Sequence, residues 1–280
     1  MKRIDDTTGL KKKAIEIRRS ILSMLSAAGS GHTGGSLSMV DILVTLYYSK
    51  MNYDPKNPKW RDRDKFILSK GHACPALYAV LADVGFFPKS ELATLRKLGS
   101  RLQGHPQYGL PGVEVSTGSL GQGLSVAAGM AIADKMDNIN ARIYCIMGDG
   151  ETNEGQVWEA AMTAAHYKLN NLCAIVDFNK MQIDGWCCEV KSQGEYRDKW
   201  KNFGWHTIEA EGHDYDSLDK AFEEAKNVKG MPQMIIAHTI KGKGISFIEN
   251  KVEWHGISPK KDELAKAFAE LDEQEKDLVG

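Results

Sequence analysis

The chain has 280 residues, 42% of them hydrophobic and 26% charged, which is enough apolar material for a single large core. Its 36 basic and 37 acidic residues nearly balance, so we expect neither nucleic acid nor a membrane surface as a partner. No apolar run reaches the roughly 18 residues of a spanning helix, and the N-terminus lacks the apolar stretch of a signal peptide, so we expect a cytoplasmic protein.

Helical patterns dominate the first half of the chain. Apolar spacing predicts helices over residues 9–28, from about residue 37, over CPALYAVLADVGF, over FFPKSELATLRKLGS and, rich in small residues, over 119–136. Residues 64–69, DKFILS, form the one predicted strand of this half.

Strands and helices alternate in the second half. We predict strands at 142–147, 172–177, 205–211 (an edge strand) and 233–239, and helices at 154–169, 216–227 and 259–277, with Asp216 or Ser217 as an N-cap. This order predicts an α/β fold, a doubly wound and mostly parallel sheet with helices on both faces, in one domain of residues 1–280.

Two of these strands end on polar residues. RIYCIM leads into Gly148-Asp149-Gly150, and LCAIVD leads to Asn179 after an intervening helix. Open parallel sheets bind ligands at the carboxyl ends of their strands, and two hard oxygen ligands there suit Mg²⁺ with a phosphate group. Residues 148–150 alone are also typical of an ordinary strand-to-helix turn, whereas the pairing with Asn179 favours the cation site.

Three Gly-His pairs, at 31–32, 71–72 and 104–105, each follow a separate predicted element. We expect their imidazoles to meet in one pocket, which suits a polyhydroxylated substrate and proton transfer near neutral pH. Singly, His32 is also typical of a solvated loop and His72 of a turn, or of a Cys74–His nucleophile pair that lacks a third group. Glycines 29, 31 and 34 have dinucleotide-site spacing but follow a helix, which argues against NAD.

Several stretches resemble the transketolases, a family of thiamine diphosphate enzymes. GDGETNEGQVWEA with Asn179 thirty residues later resembles their diphosphate-binding motif, and SGHTGGSLS, SKGHA and the order KGKG then WHG are similar to further family segments. Thr33 departs from the family, which more often has Pro after this His. The resemblance covers nearly the whole chain but only about half of a transketolase.

The resemblance implies a role for each matching position. It places Mg²⁺ (or Ca²⁺ or Mn²⁺) on Asp149, Asn179 and the carbonyl of Met181. Thiamine diphosphate would contact His72, Gly118, Ser119, Leu120, Gly150, Glu154, Asn179, Lys241 and His255, with Glu154 also at a subunit interface. The imidazoles of His32, His72, His105 and His255 would bind the sugar and move protons. We assign no chemistry to Cys187 and Cys188, and expect all five thiols to be reduced.

The implied activity is transfer of a two-carbon ketol unit from a ketose phosphate to an aldose phosphate, as in the pentose phosphate pathway. The pyrimidine-binding and C-terminal domains of a transketolase have no counterpart here, so the resemblance implies a separately encoded C-terminal partner subunit. We expect a homodimer of the chain alone, through helices 119–136 and 154–169, and a heterotetramer with the partner.

The sequence is also compatible with three other functions. One is half of a related ketolase, of an apulose type or similar to deoxyxylulose-phosphate synthase. Another is a non-catalytic subunit that binds thiamine diphosphate. The last is an NAD-type protein of doubly wound fold.

Overall fold

The computed structural model describes residues 3–278, so the first and last two residues of the predicted domain 1–280 lie outside the described range. The strands are β1 (Lys65–Leu68), β2 (Ile143–Gly148), β3 (Leu172–Phe178), β4 (Met181–Gln182), β5 (Gly185–Trp186), β6 (His206–Glu211) and β7 (Gln233–His238). The helices are α1 (Thr7–Ala28), α2 (Thr33–Ser38), α3 (Val40–Thr45), α4 (Cys74–Asp83), α5 (Gln122–Met136), α6 (Gly155–His166), α7 (Cys187–Val190), α8 (Tyr196–Asn202), α9 (Tyr215–Asn227) and α10 (Lys261–Asp277).

Five strands form a parallel sheet in the order β1-β2-β3-β7-β6, and β4 and β5 form a small antiparallel hairpin. β6 is an edge strand, as its sequence predicts. Because the pairs are in parallel register, Gly148 opposite Asp177 for example, β1, β2, β3 and β7 all end at one edge of the sheet. The predicted α/β fold is confirmed.

Alternate residues of each strand pack on opposite faces of the sheet. In β2, Ile146 joins the core formed with α1, α3, α4, α9 and α10, whereas Met147 joins the core formed with α5, α6 and α8. Both side chains are fully buried, and burial of such a side chain contributes roughly 1.5–3 kcal/mol. The two cores hold the strand ends in a fixed arrangement.

Three local predictions are wrong. The stretch FFPKSELATLRKLGS contains only a short 3₁₀ helix, Lys89–Thr94, because Arg96 takes a positive φ of 60° and the chain then turns away, leaving Leu98 fully exposed. The helix expected from about residue 37 already begins at Thr33. Helix α9 is capped by Asp214, whose carboxylate accepts from the Ser217 amide at 2.7 Å, and not by Asp216 or Ser217.

The cysteines, all of which the structure describes, form no disulfides. All five thiols are free, with Cys188 exposed and the other four buried. Within residues 3–278, no helix combines the length and the apolar character needed to cross a membrane.

Candidate active site

The carboxyl edge of the sheet forms the floor of a cavity of about 490 Å³. The segment after β1 carries His72, that after β2 Asp149, that after β3 Asn179 and that after β7 Lys241, and all four line the cavity. This is the position at which open α/β sheets bind ligands.

Nearly all site residues predicted from the sequence line this one cavity: His32, His72, His105, Gly118, Leu120, Asp149, Gly150, Glu154, Asn179, Met181, Lys241 and His255. Ser119 is the exception. It is exposed and lies between two residues that do line the cavity. The structure therefore brings the separate motifs together, while the role of each residue stays a prediction.

Three imidazoles form a triangle in the cavity. The ring centroids of His32 and His72 are 5.0 Å apart, those of His32 and His255 5.5 Å, and those of His72 and His255 5.4 Å. Burial lowers the pKa of His32 to about 4 and that of His255 to about 3, and burial also lowers the pKa of His72. All three rings are therefore neutral at pH 7 and can each donate one hydrogen bond and accept another.

The fourth predicted imidazole, His105, stands apart from this triangle. It lies exposed at the rim of the cavity, beside Gly118. Burial of part of the ring lowers its pKa, and the positive charge of Arg96 acts in the same direction.

A buried lysine orients one ring of the triangle. The Lys241 ammonium donates to His255 Nδ1 at 2.8 Å, so a neutral His255 carries its own proton on Nε2. Burial lowers the pKa of Lys241 to about 8, and the nearby Lys70 contributes to the decrease.

Lys70 and Asp177 form a buried ion pair at the wall of the cavity, which Lys70 lines, and the sequence analysis did not predict this pair. Lys70 also donates to the Gly35 carbonyl at 2.9 Å, and the Asp177 carboxylate accepts from Ser38 and Thr239 hydroxyls. Asp177 further accepts from Asn179 Nδ2 at 3.2 Å, which fixes the orientation of that amide group.

Glu151 is a further residue of the site that the sequence analysis did not predict. Its buried carboxylate accepts from Ser69 after β1, from the Gly121 amide before α5 at 2.8 Å and from the Gly148 amide of β2 at 2.9 Å. It therefore joins three of the loops that surround the cavity. The sequence offers one signal for Glu151, which is its position directly after Gly148-Asp149-Gly150. A carboxylate buried at that strand end needs hydrogen-bond donors around it.

Asp149 and Asn179 fit a hard divalent cation. Asp149 Oδ1 accepts from the Gly150 amide at 2.8 Å, and Asn179 Oδ1 accepts from the Met181 amide at 3.1 Å. Burial, with the charge of Asp177, raises the pKa of Asp149 to about 7, and a cation would favour its ionised form. Residues 3–278 contain no cluster of three or more His, Cys, Asp or Glu ligands, so a metal here would also need amide, carbonyl or phosphate oxygens, as Mg²⁺ does.

The cavity also fits a polar cofactor. His32 Nδ1 and Gln182 Nε2 are buried without a protein partner, and a buried polar atom of this kind calls for a ligand or water. A Cβ on Gly150 would lie 2.9 Å from Gln182 Cβ, so a glycine at this position allows the two segments to approach closely and keeps Gln182 at the cavity wall. These residues fit a diphosphate.

Comparison with known proteins agrees with the fold and identifies the family. A family profile described as "Transketolase, thiamine diphosphate binding domain" matches residues 10–276. A 6-deoxy-6-sulfo-D-fructose transketolase subunit, SqwG, of Clostridium sp. (strain MSTE9) is 46% identical over 95% of this chain and 97% of its own length. An apulose-4-phosphate transketolase subunit of Phocaeicola vulgatus is 42% identical over 92% of each chain.

Longer transketolases match over part of their length. Mouse transketolase is 47% identical over 88% of this chain and 39% of its own length. The structure of transketolase from Campylobacter jejuni superposes with a TM-score of 0.90 and 33% identity, over 98% of this chain and 43% of that one. This chain therefore belongs to the transketolase family and contains its thiamine diphosphate-binding domain.

Proposed function

We propose that the chain is the N-terminal subunit of a two-chain transketolase that transfers a two-carbon ketol unit from a ketose phosphate to an aldose phosphate. The observation that carries the proposal is the cavity itself. It combines the Asp149–Asn179 pair with three neutral imidazoles, in a chain that corresponds to 43% of a single-chain transketolase.

The cofactor would be thiamine diphosphate with Mg²⁺, or Ca²⁺ or Mn²⁺ in its place. When bound, thiamine diphosphate supplies the carbanion chemistry that breaks and forms carbon–carbon bonds beside a carbonyl group. Asp149, Asn179 and the Met181 carbonyl would hold the metal. The chain from Gly118 to Leu120, together with Gly150 and Glu154, would contact the cofactor.

The imidazoles would bind the sugar. His255 presents a proton on Nε2 because its Nδ1 accepts from Lys241, and His32 Nδ1 has no protein partner. Neutral rings can donate to one sugar hydroxyl and accept from another, or pass a proton between them. His72 would complete the triangle, and His105 at the rim would meet the sugar as it enters.

A separate C-terminal subunit would supply the pyrimidine-binding domain. Support comes from the two relatives named as transketolase subunits, each of which matches this chain over nearly its whole length. Their names add two alternative ketose donors for this chain, a sulfofructose and an apulose phosphate. The donor would then carry either a phosphate or a sulfonate group. The cytoplasmic location stays a prediction from the sequence.

The test is reconstitution. The purified chain should be inactive, and mixing it with the product of a neighbouring reading frame that encodes a pyrimidine-binding domain should restore ketol transfer. Xylulose 5-phosphate, 6-deoxy-6-sulfofructose and apulose 4-phosphate should be compared as ketol donors, with ribose 5-phosphate as the acceptor and each with and without thiamine diphosphate and Mg²⁺. Turnover by the chain alone would refute the two-chain proposal. Turnover without the cofactor would refute the assignment of the site.

A further inference from the structure

A buried carboxylate outside the cavity accepts four hydrogen bonds from three residues. Asp41, in α3, accepts from both terminal nitrogens of Arg18 at 3.2 and 2.6 Å, from His213 Nδ1 at 2.7 Å and from the Tyr215 hydroxyl at 2.7 Å. Burial alone would raise the pKa of Asp41, but the Arg18 guanidinium outweighs this and holds the pKa well below its ordinary value. Asp41 is therefore a permanent negative charge that fixes the side chains around it.

Two of these side chains also hold the loop that follows β7. His213 Nε2 accepts from the Ile240 amide at 2.8 Å, and Arg18 Nε donates to the Lys243 carbonyl at 3.0 Å. Lys241 lies between these two anchor points, with its ammonium on His255. The loop segment 240–243 is thus attached to Asp41 at both ends.

The protonation of His213 follows from its two contacts. Because Nε2 accepts from a backbone amide, the proton of the neutral ring must be on Nδ1, where it donates to Asp41. The Arg18 side chain also packs closely against the chain at Gly244. Gly244 has a φ of +99°, and a Cβ there would lie 2.9 Å from the Arg18 side chain.

We propose that Asp41, Arg18 and His213 form a positioning network that fixes residues 240–243 and thereby sets the Lys241 ammonium against His255 in the cavity. None of the three residues lines the cavity. The inference rests on the proposed function for its catalytic meaning, whereas the attachment of the loop can be tested without any cofactor.

The chain offers a matched pair of substitutions at His213. In His213→Asn, the side-chain amide can still donate to Asp41 but is too short to accept from Ile240. In His213→Gln, the amide oxygen reaches the position of Nε2 and can keep the bond to Ile240. His206→Asn is the control, because the His206 ring pairs with Glu224 at the surface of the molecule, away from this network.

The first readout is hydrogen exchange of the full chain. The Ile240 amide, which donates to His213, and the Lys243 amide, which donates to the Ile240 carbonyl, should exchange about tenfold faster in His213→Asn, with a smaller change in His213→Gln and none in His206→Asn. Thermal unfolding of each variant shows whether the effect is local. Equal exchange in wild type and His213→Asn would overturn the network.

The second readout is kinetic and uses the reconstituted enzyme. His213→Asn should raise the KM for thiamine diphosphate about three- to tenfold, as expected for a misplaced hydrogen-bond donor, with a smaller effect on kcat and partial recovery in His213→Gln. Faster exchange without a change in KM would overturn the positioning role and leave only a structural one. If the wild type is active without thiamine diphosphate, the proposed function is wrong. The exchange data would still test the network, because that experiment uses no cofactor.

Discussion

Asp149 is only 1% exposed and yet lines the cavity at the end of β2. Replacement by alanine removes the carboxylate proposed to hold the cation without removing any apolar core contact. We expect Asp149→Ala to abolish Mg²⁺-dependent binding of thiamine diphosphate, measured by isothermal titration, while the circular dichroism spectrum stays native.

Asp184→Ala is a suitable control for this change. Asp184 lines the same cavity but is exposed and is not one of the proposed metal ligands. Its replacement should leave Mg²⁺-dependent binding in place. Retention of that binding in Asp149→Ala would contradict the metal assignment.

The neutral histidines give a pH prediction. His32 and His255 have pKa values of about 4 and about 3 in the folded chain, against about 6.5 in an unfolded one. The unfolded chain therefore binds more protons between these values, so the contribution of the two rings to the free energy of unfolding falls as the pH drops from about 6.5 towards 4.

Nuclear magnetic resonance can follow each ring separately. The His32 and His255 signals should stay in their neutral form from pH 8 down to about pH 5 in the folded chain, and should titrate near pH 6.5 in urea. The difference in unfolding free energy between wild type and His32→Asn should change over the same interval. Titration of both rings above pH 6 in the folded chain would show that the triangle is open to water.

At the scale of elements, the Lys70–Asp177 pair joins the segment after β1 to the carboxyl end of β3. Removal of one partner leaves the other charge buried, which typically costs about 3–5 kcal/mol. We expect Lys70→Met to lower the free energy of unfolding by about this amount in urea titrations, despite the remaining donors to Asp177. The double variant Lys70→Met/Asp177→Asn should recover part of the loss, and an additive double variant would argue against direct coupling.

The same pair shows what the sequence could and could not predict. Apolar periodicity located all five strands of the parallel sheet, and the strand ends located Asp149 and Asn179. Lys70 and Asp177 were missed because a pattern shows where a polar residue lies along the chain but not the partner that satisfies it in space. Their bond links residues 107 apart in the sequence.

Local geometry caused the remaining errors. The helix expected in FFPKSELATLRKLGS fails where Arg96 takes a left-handed conformation, which residue type alone does not reveal. Asp214, Asp216 and Ser217 are all good capping residues, and only the structure shows that Asp214 has the extended backbone of an N-cap.

At the scale of the whole molecule, α5 and α6 lie side by side and present apolar residues to solvent. Met136 is 76% exposed, and Met162 and Tyr167 are each 54% exposed. Glu154, at the N-cap of α6, is exposed and also lines the cavity, so this α5–α6 surface continues to the rim of the site. Exposed apolar side chains on adjacent helices are typical of a subunit contact.

We therefore expect two copies of the chain to associate through the α5–α6 surface, and two partner subunits to complete a heterotetramer. Met162→Lys places a charge on the exposed side of α6 in this surface and should shift the chain from dimer to monomer in sedimentation at micromolar concentration. Met231→Lys is the matched control, since Met231 is 39% exposed in the loop before β7 and lies outside both helices. A wild-type chain that sediments as a monomer at all concentrations would contradict a preformed contact. A Met162→Lys variant that still dimerises would place the contact on another face, and the reconstituted complex would then show whether the partner subunit covers α5 and α6.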